Sequence, residues 1–200
     1  MAVTDYVTLA DIKEALKIEN SDATRDNLLG KAIRAASRGI DRACGRRFYR
    51  DDNATPRTYS LHSRVTYDEW GALLVVDDLS TTEGLIVETG TGGAWTATTR
   101  YDTFPENAGA DGWAITGLRQ PYGYWGFGPT SRVRVTARWG WPAVPDDVAQ
   151  AALTQAMRLF RRKDSPEGVT GSAEWGVVRL SRRDPDVWNL IEPYVLSGFG

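Results

Sequence analysis

The segment Ser131-Arg-Val-Arg-Val-Thr-Ala-Arg-Trp-Gly-Trp141 alternates apolar side chains with arginine and other small or polar residues. Neighbouring residues of a strand point to opposite sides of the sheet, so this alternation predicts a strand with one buried apolar face and one solvated basic face. Residues 48–141 around it are rich in Thr, Val, Gly and aromatic residues, as strands require. Glycine-rich turns at 90–93, 107–112 and 123–128 separate the predicted strands. We expect an antiparallel sheet or small sandwich here.

The hydrophobic period is that of helices on the N-terminal side of this region. Thr8 is predicted to cap a short amphipathic helix over residues 8–18. A longer helix is predicted for residues 23–44. Its apolar stripe includes Leu28, and Gly45 is its predicted C-cap.

Two more helices are predicted after the sheet. Pro145 and the two aspartates after it are typical of a helix start, as is Asp184 followed by a proline. A loop at 164–176 and a short strand at 177–181 separate these helices. The fold class is therefore predicted to be α+β, a four-helix core with an inserted antiparallel sheet or small sandwich. The predicted domains are a helical core, 1–47 with 142–200, and an inserted β-rich domain, 48–141.

The counts of titratable residues exclude several function classes. The 200 residues include 24 Lys+Arg, 26 Asp+Glu and one His, a formal net charge of -2, which argues against a protein whose whole surface binds nucleic acid. The single Cys44 and the single His62 exclude a Cys/His zinc cluster and an intrachain disulfide. No phosphate loop or dinucleotide fingerprint is present. We therefore predict no enzyme, no metal and no cofactor.

Charge is distributed unevenly along the chain. Residues 25–50 contain eight Lys or Arg and two Asp, and Arg34, Arg38 and Arg42 recur at every fourth position. Residues 65–99 contain six acids and no Lys or Arg. One interpretation is a solvated helix beside an acidic sheet, and the other is a pair of complementary subunit faces or a helix near DNA phosphates. The subunit-interface candidates are Arg34, Arg38, Arg42, Asp77, Asp78, Glu83 and Glu88.

Aromatic residues are concentrated in the second part of the chain. All eight tryptophans occur from Trp70 onward, and most are expected in the sheet core. The turn at 122–128 carries too many aromatic rings to bury easily, which makes it an interface candidate. Its partner-contact candidates are Tyr122, Tyr124, Trp125 and Phe127. These four rings would also serve an alternative function, an aromatic β module that binds carbohydrate or a host receptor.

Several local strings resemble a known family. Near the N-terminus they are Tyr6-Val-Thr-Leu-Ala-Asp-Ile-Lys13, Ala35-Ala-Ser-Arg-Gly-Ile-Asp41 and Cys44-Gly-Arg-Arg-Phe-Tyr49. Near the C-terminus they are the predicted helix 145–161, the segment 164–169 and Val178-Arg-Leu-Ser-Arg-Arg-Asp-Pro-Asp-Val187. Together, in this order, they resemble the head-tail connector proteins of tailed bacteriophages over residues 6–60 and 142–196.

The resemblance implies a structural protein of the virion, assembled in the host cytoplasm. Such an adaptor, or head-completion protein, would form a ring of twelve subunits beneath the portal. It would extend the DNA channel, which genomic DNA crosses without sequence recognition, and would present its other face to a stopper or tail-completion protein. The implied partners include no membrane, and small members of the family are almost wholly helical, so the sheet would be an insertion.

The resemblance assigns the last helix and the loop before it to portal docking. A Gly- and Ser-containing segment that ends in a short apolar helix has low stability of its own and is suited to reorganising on a partner. The corresponding partner-contact candidates are Val187, Trp188, Leu190, Ile191 and Tyr194.

Overall fold

The computed structural model describes residues 5–126, 128–162 and 184–196. It confirms the α+β class, with helices and two antiparallel sheets. The chain divides into two compact units. A helical unit comprises the described residues of Met1–Arg47 and Val144–Gly200, and a sheet unit comprises those of Phe48–Ala143. The predicted loop 164–176 and strand 177–181 lie outside the described residues, as does Phe127.

The helical unit contains four α-helices among its described residues. They are α1 (Leu9–Ala15), α2 (Asp26–Cys44), α3 (Asp146–Arg161) and α4 (Pro185–Ile191), followed by a 3-10 turn, Glu192–Tyr194. The predicted caps are confirmed. Thr8 accepts a hydrogen bond from the Asp11 N–H at 3.2 Å and the Asp11 carboxylate accepts from the Thr8 N–H at 2.9 Å. Gly45 ends α2 in the left-handed conformation at φ 68°, which a glycine adopts without strain.

The buried stripe of α2 is rotated slightly from the predicted one. Leu28, expected inside, is 41% exposed, whereas Ser37 is fully buried. The Ser37 hydroxyl is satisfied there, because it donates to the Ile33 carbonyl at 3.0 Å and accepts from the Tyr6 N–H at 3.1 Å. The burial of a small hydroxyl between helix turns is therefore consistent with an apolar stripe that runs from Leu29 to Cys44.

Eight strands occur among the described residues of the sheet unit. They are β1 (Thr55–Ser60), β2 (Val65–Asp68), β3 (Gly71–Leu79), β4 (Ile86–Thr91), β5 (Ala94–Ala97), β6 (Asp102–Phe104), β7 (Ile115–Pro121) and β8 (Ser131–Ala137). They form two four-stranded antiparallel sheets, in the orders β1-β8-β4-β5 and β2-β3-β7-β6.

The alternation in 131–141 determines the centre of the first sheet. Val133 and Val135 are fully buried while Arg132 and Arg134 point to the other face, as predicted. β8 pairs on both sides, with β1 and with β4. Residues of both sheets contribute to one hydrophobic core, in which Leu74 and Leu118 of the second sheet join the β8 valines. This shared core is that of a small sandwich.

Candidate assembly surfaces

The solvent side of α2 carries a compact set of cations. At 3.6 residues per turn, Lys31, Arg34 and Arg42 fall within about a quarter-turn of the helix circumference. All three are exposed. None forms an ion pair within the part of the chain that the structure describes. We call Lys31, Arg34 and Arg42 the basic face of α2.

Arg38 belongs to the same row but is engaged by its own chain. Its Nε lies 3.0 Å from an Asp41 carboxylate oxygen, and its guanidinium carbon lies 5.7 Å from the centre of the Tyr6 ring. The Tyr6 hydroxyl donates to the same Asp41 carboxylate. Burial raises the pKa of Asp41, although Tyr6 and Arg38 oppose the shift. Arg38 therefore contributes to packing at the N-terminus, while Arg34 and Arg42 remain available to a partner.

Asp77, an acidic interface candidate, is paired within the sheet unit. Its carboxylate lies 2.6 Å from Arg57 Nη1 and 3.4 Å from Arg64 Nη1. The Tyr59 hydroxyl donates to it at 3.2 Å, and burial, reinforced by the Asp77 charge, raises the pKa of Tyr59. The Asp77 cluster therefore joins β1, the turn after it and β3.

The other three acidic candidates also have partners in the same unit. Glu88 accepts two hydrogen bonds from Arg134, at 2.6 and 2.8 Å, which lower the pKa of its carboxyl group. Glu83 lies 3.3 Å from Arg138 Nη1, and Asp78 accepts from the Trp141 indole N–H at 3.0 Å. These contacts give the acids a role inside the sheet unit, and their role between subunits stays a prediction.

The aromatic turn is split between core and solvent. Tyr122 is 80% exposed and Tyr124 is 59% exposed. Trp125 is only 1% exposed and its indole N–H donates to the Ala72 carbonyl at 2.9 Å. The Trp125 ring therefore fills the sheet core of the folded unit, and its contact with a partner stays a prediction.

Sequence reasoning missed two exposed aromatic residues of the second sheet. Trp70, in the turn between β2 and β3, is 59% exposed, and Tyr67 places its ring centre 5.8 Å from that of Tyr124. They approach the 122–124 turn because β3 pairs with β7, with Gly71 opposite Pro121. The signal was present in the sequence Tyr67-Asp-Glu-Trp70-Gly71, where two aromatic residues flank a polar turn.

A cavity of about 620 Å³ opens beside these exposed rings. Its apolar walls are Trp70, Phe104, Pro105, Pro121 and Tyr122, and its polar walls are Asp102, Glu106, Asn107, Asp111 and Arg119. We call this cavity the aromatic cup. It combines exposed aromatic faces with carboxylates, which suits a cationic or a hydroxyl-rich ligand.

The cation in the cup, Arg119 of β7, is compensated by Asp68 of β2, which lies on the far side of β3 in the same sheet. Arg119 Nη1 lies 2.7 and 2.8 Å from the two Asp68 carboxylate oxygens, and its guanidinium carbon lies 5.5 Å from the Phe104 ring centre. The hydrogen bond from Arg119 lowers the pKa of Asp68. In contrast, Asp102, Glu106 and Asp111 are exposed and form no ion pair with any residue that the structure describes. The cup is therefore acidic.

The last helix buries much of its predicted contact surface. Val187, Ile191 and Tyr194 are each no more than 9% exposed, and the Tyr194 hydroxyl donates to Asp147 at 3.4 Å. Their side chains pack inside the folded helical unit, and their contact with a partner stays a prediction. Trp188 and Leu190 are half-buried, and for them partner contact stays a prediction.

The single histidine and the single cysteine belong to different units of the fold. Within the described ranges, no three His, Cys, Asp or Glu side chains are placed to hold a metal ion together. His62 lies in the exposed turn between β1 and β2, in the sheet unit, whereas Cys44 is fully buried at the end of α2. None of the described helices has the length and apolar character that a membrane crossing needs.

Comparison with known proteins gives similarity at the level of the fold. No protein-family model and no curated protein matches this chain. A chain in the solved neck of an empty GTA particle, computed with C6 symmetry, is similar over 100% of this chain and 96% of its own, at a TM-score of 0.57 and 18% identity. A chain in the virion of a native gene transfer agent (GTA) particle covers 96% of this chain and 90% of its own, at a TM-score of 0.49 and 18% identity.

Proposed function

We propose that this protein is a head-to-tail connector, or adaptor, in the neck of a phage-like particle. The observation that carries the proposal is the fold similarity to a neck chain, which extends over the whole of this chain and so includes both the helical and the sheet unit. The resemblance of residues 6–60 and 142–196 to phage connectors supports the same role. In it, the chain is a structural protein that forms a ring under the portal and extends the DNA channel to a stopper or tail-completion protein.

Ring formation requires two different surfaces on each subunit. A head-to-tail contact between identical chains closes into a ring when the rotation between neighbours divides a full turn. The basic face of α2 supplies one surface, since its three cations have no ion-pair partner in the described parts of their own chain. We propose a ring of twelve subunits; a twelve-fold ring contains a six-fold axis and is compatible with the C6 symmetry used for the similar neck.

The direct test is a native mass measurement of the purified protein, alone and with the portal protein of the same particle. We expect a ring of twelve, either in isolation or only after the portal is added. A ring of six would overturn the stoichiometry but keep the connector role. A monomer that neither oligomerises nor binds portal under any condition would overturn the proposed function.

We propose that α4 contacts the portal through its half-buried side chains. Leu190→Glu places a charge on this surface and should weaken portal binding in a pull-down, whereas Asn189→Glu, at an exposed neighbouring position, is the matched control. Circular dichroism of both variants checks that the helical unit still folds. Equal portal binding by wild type and Leu190→Glu would contradict this contact.

A further inference from the structure

We propose that the aromatic cup of one subunit receives the basic face of α2 from the neighbouring subunit. The inference deepens the proposed function and rests on it, because it names the two surfaces that meet in the ring. It replaces Asp77, Glu83 and Glu88, which already pair with arginines of their own sheet unit, as the acidic side of the contact.

Both surfaces carry charges that have no ion-pair partner among the described residues. In the sheet unit, the three exposed cup carboxylates Asp102, Glu106 and Asp111 have no ion-pair partner among the described residues, and the cup's own cation is neutralised by Asp68. In the helical unit, the basic face of α2 presents three exposed cations that also have no ion-pair partner among the described residues. Surfaces of opposite charge on two copies attract each other, and orientations that place like charges opposite each other are disfavoured.

The walls of the cup suit an arginine side chain. A guanidinium group binds well where an aromatic face and a carboxylate are offered together, because it stacks on the ring while its N–H groups donate to the oxygens. Trp70 and Tyr122 supply exposed rings to the lining of the cup, and the three carboxylates supply acceptors. The two arginines of the basic face, Arg34 and Arg42, fit this description, and a neutral ligand would leave the carboxylates without a counter-charge.

The backbone joins the two exposed rings of the cup and holds one of them in an unusual conformation. Trp70 and Tyr122 flank the paired strands β3 and β7, and the Tyr122 N–H donates to the Trp70 carbonyl at 3.4 Å. Tyr122 is held at φ 48°, a conformation that few non-glycine residues adopt, while its ring remains 80% exposed. A strained backbone that displays a large aromatic ring to solvent is more typical of a binding surface than of a passive turn.

Disulfide trapping between two different variants tests the contact. Ala35→Cys places a thiol on the exposed side of α2 among the three cations, and Asn107→Cys places one in the wall of the cup; neither change removes a charge. The native Cys44 is fully buried and does not compete. Thr82→Cys, exposed beside Glu83, is the matched control for the other acidic segment. We expect a mixture of the Ala35→Cys and Asn107→Cys chains to form about tenfold more mixed dimer than the Ala35→Cys and Thr82→Cys mixture, because a docked pair raises the local thiol concentration.

Charge reversal in the same mixtures distinguishes a specific contact from collision. Asp102→Arg with Glu106→Arg in the Asn107→Cys chain should remove the cross-link, and Arg34→Glu with Arg42→Glu in the Ala35→Cys chain should restore it. All four positions are exposed, so the fold is expected to be kept, which circular dichroism checks.

The outcomes separate this inference from the ring itself. Two results would overturn the cup contact and leave the connector role intact. One is a cross-link between the Ala35→Cys and Thr82→Cys chains. The other is a wild-type ring, seen by native mass, without a cross-link between the Ala35→Cys and Asn107→Cys chains. A neutral oligosaccharide that quenches tryptophan fluorescence through Trp70, with no trapping, would overturn it in favour of carbohydrate binding. The absence of any ring, with or without portal, would overturn both proposals.

Discussion

The ammonium group of Lys13 lies 2.6 Å from the Asp26 carboxylate, which joins α1 to the first turn of α2. The Lys13 side chain is only 4% exposed, whereas that of Asp26 is 31% exposed. Lys13 also donates to the Asn20 carbonyl at 3.1 Å, so a single ammonium group organises the connection between the two helices. A lysine on a polar stretch of sequence is thus part of the packing.

Removing either partner should destabilise the helical unit, and by different amounts. Asp26→Ala leaves a buried ammonium without its counter-charge and should lower the free energy of unfolding by about 1–3 kcal/mol. Lys13→Met fills the same space without a charge and should be less destabilising. Urea denaturation of both variants checks the order. Lys31→Met, at an exposed position of α2, serves as the control, and equal stability of Asp26→Ala and wild type would contradict the prediction.

Gly140 should tolerate no side chain. It has φ 104°, and a Cβ atom there would lie 1.8 Å from the Tyr49 carbonyl oxygen, so the backbone would have to move. Gly140→Ala is expected to destabilise the sheet unit by about 3 kcal/mol or more. Gly84→Ala isolates the backbone effect, because Gly84 has φ 72° but open space around its Cβ position, and should lower stability by about 1 kcal/mol. Thermal unfolding should show this difference, and similar midpoints would refute it.

The ion pair of Glu88 and Arg134 should make stability depend on pH in acid. The hydrogen bond from Arg134 lowers the Glu88 pKa below its ordinary 4.5. The stabilising contribution of the ion pair is therefore complete above pH 4.5 and is lost as the pH falls through the lowered pKa of Glu88. The stability difference between wild type and Glu88→Gln should be largest near neutral pH and shrink below pH 4.5. A difference that is constant or grows on acidification would show that the pair does not act in this way.

Cys44 should be chemically inert until the helical unit unfolds. Burial raises the pKa of its thiol from 9.0 to about 11. At pH 8 the thiolate fraction falls by on the order of 100-fold from this shift alone, and the side chain has no exposed surface. Iodoacetamide should label the folded protein far more slowly than the urea-unfolded protein. Rapid labelling of the folded chain would indicate that α4 separates readily from the end of α2.

Trp125 and Tyr122 should respond oppositely to truncation. Trp125→Ala empties a core position and loses the hydrogen bond to Ala72, which should lower stability by about 3–5 kcal/mol. Tyr122→Gly relieves a positive φ and should leave the stability unchanged or raise it by about 1 kcal/mol. Chemical denaturation followed by circular dichroism measures the free energy of unfolding of both variants. A clear loss of stability in Tyr122→Gly would mean that the exposed Tyr122 ring supports the fold.

Local features of the chain were predictable because they depend on neighbouring residues. The Thr8 cap, the Gly45 C-cap and the start of α3 after Pro145 each follow from backbone hydrogen bonding within one turn. The same holds for the alternation of 131–137, in which each residue's face follows from its parity. The prediction of which side of α2 is buried was less accurate, because Leu28 and Leu29 are equally apolar and only packing selects which of them is buried.

The partners of charged and aromatic side chains were not predictable in the same way. Asp77 of β3 meets Arg57 of β1, a strand of the other sheet, and Trp70 meets Tyr122 through the pairing of β3 with β7. Trp125 and Tyr124 are adjacent in sequence, yet one fills the core and the other is exposed. Composition shows how many charged and aromatic residues the chain has, but it does not show which of them contact each other in the fold.

The order of helices, the sandwich-forming strands and the segregation of basic and acidic segments follow from the sequence, since each depends on periodicity or composition over a few turns. The tertiary structure decides which charges remain uncompensated. The pairing of β4 with β8 brings Arg134 to Glu88, and the strand order β2-β3-β7 brings Arg119 near Asp68. The same sheet leaves Asp102, Glu106 and Asp111 in a cavity with exposed rings. Ion pairing depends on distance in space and not along the chain, so the sequence does not show which acids lack an ion-pair partner among the described residues.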